Sequence, residues 1–178
     1  TAPTGGAGAQ ADLKSIAAAG GYGMNAITAL VAQNTHGVRS IHTPPLAFLR
    51  EQLDAVASDV TIDAVKIGML GSADTVACVR QWLAEHPMPL VVLDPVMVAP
   101  SGDRLLDADA EQAVIEFAHH VDIVTPNVPE LAVLLGAPEP ARTFEETLAQ
   151  SAEFAQKSNT IVIAKGGHLD GKFANNAV

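Results

Sequence analysis

Across residues 46–57, Leu46, Leu49, Leu53 and Val56 recur at three- and four-residue steps, the spacing of one helical face. Helices are expected there and over residues 10–19, 73–85, 109–118, 130–135 and 144–157. Between them lie short runs that are apolar on successive positions: 26–32, 64–67, 90–93, 121–124 and 160–164. A strand wetted on one face alternates apolar with polar residues, whereas a strand covered on both faces does not. These runs therefore predict parallel strands sandwiched between helices. Their regular alternation with helical stretches predicts a doubly wound α/β domain. The stretch 136–142, with Pro138 and Pro140, reads as a surface loop, and no internal repeat or low-complexity linker divides the chain. The 178 residues read as one domain.

Composition narrows the core and the partners. Apolar residues make up 48% and charged residues 17%, the balance of a globular protein, and with aromatics at 4% the core must be built from Ala, Val, Leu and Ile. Twenty acidic against ten basic residues give a net charge of −10. That excludes the basic footprint of a nucleic-acid or anionic-membrane surface. It leaves open a phosphorylated small ligand, which backbone amides and one or two lysines can hold locally. A single cysteine, Cys78, excludes an internal disulfide and a paired-cysteine zinc site. Among Val76, Val79 and Trp82 it reads as a small buried hydrophobe. No apolar run approaches the roughly 18 residues of a membrane span, and the first residues have neither the basic nor the apolar region of a secretory signal. The expectation is a soluble cytoplasmic protein.

Candidate chemistry gathers just past the predicted strands. Gln33-Asn34, Lys66-Ile67-Gly68-Met69, Asp94-Pro95, Thr125-Pro126-Asn127 and Lys165-Gly166-Gly167 all follow such runs. The crevice beyond the carboxyl ends of a parallel sheet is where ligands bind; ordinary loop polarity is the alternative. Gly6-Ala7-Gly8-Ala9-Gln10-Ala11 matches a dinucleotide fingerprint literally, but no strand precedes it and no Asp or Glu lies between Asp12 and Glu51. What remains is a glycine-rich turn opening a helix, with Asp12 placed either for the helix dipole or for a ligand. Gly166 through Lys172 fits G-x-x-x-x-G-K, yet Phe173 replaces the required Ser or Thr and no good helix follows. Lys165 is the stronger phosphate candidate, because a lysine emerging from a buried strand needs a task or a partner; its alternative is a structural salt bridge. Asp94 and Glu130 could supply the one or two carboxylates that Mg²⁺ takes alongside water and phosphate oxygens. The histidines lack ligand spacing, and no G-x-S-x-G supports a serine hydrolase.

Taken together, several strings resemble the hydroxymethylpyrimidine/phosphomethylpyrimidine kinases of thiamine biosynthesis, in the ribokinase-like superfamily. They are Gly5 through Lys14, Ile27 through Thr35, Val65 through Leu70, Leu93 through Met97 with Ser101-Gly102-Asp103, Thr125 through Glu130, and Lys165 through His168. They occur in family order along the whole chain. The departures are Ala2, where the family usually has Asp, and the family's opening strand ending in Ala-Gly, which has no counterpart. The closing Gly-Thr-Gly-Cys, whose cysteine is usually credited as catalytic, would follow Val178, and residues are expected to be absent between Gly171 and Lys172. The resemblance thus implies one kinase domain over residues 1–178 that is an incomplete view of a longer enzyme.

It further implies a three-layer α/β/α sandwich with a largely parallel central sheet. ATP with Mg²⁺ would phosphorylate 4-amino-5-hydroxymethyl-2-methylpyrimidine and then the resulting monophosphate. In this reading Lys165 is catalytic, balancing charge on the transferring phosphoryl group. Asp12, Gln33, Met69 and Val96 bind the pyrimidine, Gln33 through its donor-and-acceptor amide. Asn127, Lys165, Gly166 and Gly167 bind the nucleotide, and Asp94 and Glu130 organise the metal. The partners implied are the pyrimidine alcohol and its phosphate, a second copy in a homodimer, and a fusion to another thiamine-biosynthesis enzyme. Pyridoxal kinase of the same superfamily is the rival activity, and a non-catalytic pyrimidine-binding module the rival from another class.

Overall fold

The computed structural model describes residues 1, 3–34, 36–97, 106, 108–167, 169 and 174–178. Ala2, Ser101-Gly102-Asp103, His168 and residues 170–173, all singled out in the sequence, lie outside them. In chain order the elements are α1 (Ala9–Ala18), β1 (Leu30–Asn34), β2 (Gly37–His42), α2 (Leu46–Ala57), β3 (Val65–Ile67), α3 (Ala73–Glu85) and β4 (Val91–Leu93), then α4 (Ala108–Ala118), β5 (Ile123–Val124), α5 (Val128–Leu135), α6 (Phe144–Ser158), β6 (Ile161–Val162), β7 (Ala164–Lys165) and β8 (Asn176–Ala177). They fall into two compact units. One comprises Thr1–Ile62, Met69–Pro87 and Val98–Ala110; the other comprises Asp63–Gly68, Met88–Met97 and Glu111–Val178.

In the first unit, α2 and α3 have the predicted bounds. Ser72 caps α3 by accepting a hydrogen bond from the Thr75 N–H at 3.2 Å, and α3 buries Thr75, Val76, Val79 and Trp82. The Trp82 indole N–H donates to Asp54 Oδ1 at 2.7 Å, tying α3 to α2. Cys78 is a half-buried free thiol. The parallel strand expected over 26–32 is corrected: residues 26–29 form no strand, and β1 pairs antiparallel with β2 in a two-stranded sheet of its own. Burial alternates there, with Ala29 and Val31 buried and Leu30 and Ala32 exposed. The sequence conceals this because the exposed positions are themselves apolar. No apolar run announces β2, which is mostly exposed.

The second unit carries the parallel sheet. Its strands lie in the order β3-β4-β5-β6, all parallel, with Val65 opposite Val91, Val92 opposite Ile123 and Ile123 opposite Ile161. Leu93, Val124 and Val162 are buried. Helix α6 packs on α5 and on β6; α5 buries Val128, Leu131, Ala132 and Leu134, and α6 buries Phe154. The predicted run 160–164 divides in two: β6 completes the parallel sheet, while β7 pairs antiparallel with β8. A Cβ on Gly166 would collide with the Asn175 carbonyl, so only glycine lets these backbones approach. The class is α/β with a parallel sheet, as expected.

Candidate active site

Within the second unit, three strand ends bring their polar residues to one place. The Asp94 N–H donates to the Ile67 carbonyl at 2.8 Å, extending the β3–β4 ladder by one residue. The Val96 N–H then donates to the Asp94 carbonyl at 2.8 Å across Pro95, a three-residue turn that the fixed proline φ suits. The ladder ends at Asp94, and its carboxylate stands just past the strand. Lys165 is held by its own N–H, which donates to the Pro126 carbonyl at 2.8 Å, and by a parallel bridge to Asn127. Although β5 lies between their strands, Lys165 Nζ reaches Asp94 Oδ1 at 2.7 Å. Lys66, projecting from β3, places Nζ 3.8 Å from the other oxygen, Oδ2.

The salt bridge weighed for Lys165 in the sequence is therefore present. Two lysines share one carboxylate at the carboxyl edge of the sheet, and the Lys165 charge also acts on the Glu130 carboxyl group. Sequence reasoning gave Lys66 no role. The signal was available, because it interrupts the apolar run 64–67 just as Lys165 ends the run before it.

Asn127 and Glu130 engage each other first. Asn127 is the N-cap of α5: its Oδ1 accepts from the Glu130 N–H at 2.8 Å, while a Glu130 carboxylate oxygen accepts from the Asn127 N–H at 2.8 Å. Reciprocal bonds of this kind satisfy two otherwise orphaned donors of the helix start. Gly136 closes the helix in the left-handed conformation at φ 66°. Glu130 is only 6% exposed, and burial pushes its carboxyl group above the usual glutamate range. The Asn127 and Met97 N–H groups and the Lys165 charge oppose that shift, and the Asp94 charge adds to it. Among the described residues no three His, Cys, Asp or Glu side chains form a metal-holding group. Two carboxylates, one of them already accepting backbone hydrogen bonds, suit a hard cation held chiefly by water and phosphate oxygens.

The remaining predicted site residues are placed as follows. Val96 is half-buried in the second unit, immediately after the Pro95 turn. Asp12, Gln33 and Met69 lie on three separate segments of the first unit. Gly8, at φ 68°, opens α1, and the Asp12 N–H in its first turn donates to the Gly8 carbonyl at 3.0 Å. Gln33 stands two residues beyond buried Val31 on the same face of β1, next to a bulge at which the register with β2 shifts. The Met69 carbonyl accepts from the Thr28 hydroxyl at 2.7 Å, and its side chain is half-buried.

The family model for phosphomethylpyrimidine kinase matches residues 2–178. The chain belongs to that family. It is 66% identical over 178 residues to the thiamine biosynthesis multifunctional protein ThiED of Corynebacterium glutamicum, covering 100% of this chain and 23% of ThiED. The chain thus spans about a quarter of that relative's length. A crystal structure of the phosphomethylpyrimidine kinase of Clostridium difficile 630 superposes with a TM-score of 0.87 at 36% identity, over 99% of this chain and 75% of that one. The Bacillus subtilis pyridoxal kinase, solved as an ADP complex, gives the same TM-score of 0.87 at 28% identity, over 99% of this chain and 67% of that one. The ribokinase-like fold expected from the sequence strings is shown. Among the described residues, no helix is long and apolar enough to cross a membrane.

Proposed function

We propose that the protein is an ATP-dependent kinase that phosphorylates 4-amino-5-hydroxymethyl-2-methylpyrimidine and then its monophosphate. In each step the acceptor oxygen forms a bond to the terminal phosphorus of ATP, the bridging bond to ADP breaks, and ADP leaves. The first acceptor is the hydroxymethyl oxygen, which loses its proton; the second is a phosphate oxygen of the product. The observation that carries this reading is Lys165 paired with Asp94 at the carboxyl edge of a parallel sheet, in a chain of this family. Lys165 neutralises charge on the phosphoryl group as it transfers, a task of positioning and electrostatics. Asn127, Gly166 and Gly167 contact the nucleotide, Gly167 offering it backbone without side-chain bulk. Asp94 and Glu130 would hold Mg²⁺, partly through water, and the ion would supply charge neutralisation to the phosphates. Asp12, Gln33, Met69 and Val96 contact the pyrimidine. The similarity to ThiED supports a kinase that works joined to other thiamine-biosynthesis activities.

The similarity to a pyridoxal kinase favours a second reading, phosphorylation of the hydroxymethyl group of pyridoxal. Steady-state kinetics with both alcohols separates them. The proposal expects a higher kcat/KM for the pyrimidine and formation of its diphosphate. Preference for pyridoxal, or no second phosphorylation, overturns it.

A further inference from the structure

We propose that Lys66 is a positioning residue for phosphoryl transfer, holding the Asp94 carboxylate in place when Lys165 turns from it to the phosphoryl group. This rests on the kinase reading above. The two lysines approach different oxygens of the same carboxylate, Lys165 at 2.7 Å from Oδ1 and Lys66 at 3.8 Å from Oδ2. Both can pair with it at once, and either can remain when the other leaves. Lys165 cannot serve Asp94 and an anionic phosphoryl group at full strength together. The Asp94 side chain is only 21% exposed, so when Lys165 turns away a neighbouring ammonium on the free oxygen fixes the orientation in which this largely buried carboxylate faces the metal.

Lys66 is built to take over. It sits within the β3–β4 ladder opposite Val92, and the next residue along β3, Ile67, accepts the Asp94 N–H. The backbones bearing the two side chains are thereby locked together. The Lys66 ammonium lies over Gly68, where a Cβ would meet Nζ at 3.4 Å, ordinary van der Waals contact. A cation on a flexible stem can close the remaining distance to Oδ2. Lys66 thus acts on the reaction through Asp94 and not by touching substrate.

The test combines melting temperatures with kinetics in the intact protein. Lys66→Met and Lys165→Met should each lower the melting temperature slightly, because one lysine remains on Asp94. The double variant should lose about 2–4 °C beyond the sum of the two. Lys66→Met should lower kcat about 10- to 100-fold while both KM values stay within about twofold, and Lys66→Arg should recover most of the loss. In an Asp94→Asn background, Lys66→Met should cause no further loss. Additive melting losses, an unchanged kcat, or a loss that persists beside Asp94→Asn would each overturn the inference. If the unsubstituted protein phosphorylates neither alcohol, the kinase reading fails instead, and the melting cycle still decides whether the lysines share Asp94.

Discussion

Glu130 is a buried carboxyl group that accepts hydrogen bonds from two backbone N–H groups, and burial outweighs them in setting where it titrates. The folded protein therefore holds the Glu130 proton more tightly than the unfolded chain does. Below the ordinary glutamate value of about 4.3 both states are protonated and the contribution to stability is complete. As pH rises above that value towards the raised folded value, the folded state binds more protons and stability declines. Glu130→Gln removes the titration. Urea unfolding measured from pH 4 to 7 should show the parent losing stability relative to this variant across that window, and parallel curves would refute the assignment. Gln33 makes a different kind of prediction, because the role proposed for it is selection. A buried hydrogen-bonding edge left unpaired costs about 1–3 kcal/mol, so Gln33→Leu should raise the KM for the pyrimidine roughly 5- to 150-fold. The KM for ATP should not change, and a matching rise there would make Gln33 a structural residue of the bulged strand.

Elements whose stability is local were legible in the sequence, and those made by distant partners were not. Helix α3 begins and ends where its spacing predicts, because Ser72 caps it and its apolar face repeats at helical steps. The parallel strands showed as apolar runs because helices cover them. Strand β8 is an Asn-Ala pair held by its antiparallel partner β7 and by α6, and nothing in its own residues signals it. The same holds for the site. Lys165 and Asp94 were singled out separately, but their pairing spans 71 residues of chain and follows only from the sheet order. Asn127 and Glu130 are expected to serve the nucleotide and the metal, whereas the first consequence of their three-residue spacing is the cap of α5. Asn127→Ala should cost about 1 kcal/mol, roughly 2–4 °C in melting temperature. Asn127→Asp, which keeps an oxygen acceptor facing the helix start, should retain most of the stability. If the two variants melt alike, the cap does not stabilise α5 through its side-chain bond.

Along the chain as a whole the net charge is −10, while at one place two lysines, Lys66 and Lys165, share the Asp94 carboxylate. These two fields act over different distances. At about 0.01 M salt the screening length is about 30 Å, so an approaching anion meets the repulsion of the whole chain first. At about 0.15 M it falls to about 8 Å, and only the nearby lysines still count. The two proposed acceptors provide an internal comparison, one being a neutral alcohol and the other its anionic monophosphate. Both use the same nucleotide, so effects of salt on ATP cancel in the ratio of their kcat/KM values. That ratio, monophosphate over alcohol, should rise with sodium chloride between these limits by up to on the order of tenfold, the lower end of electrostatic effects on association. A ratio that falls with salt would mean that the lysine pair governs encounter from a distance, against the charge of the chain as a whole.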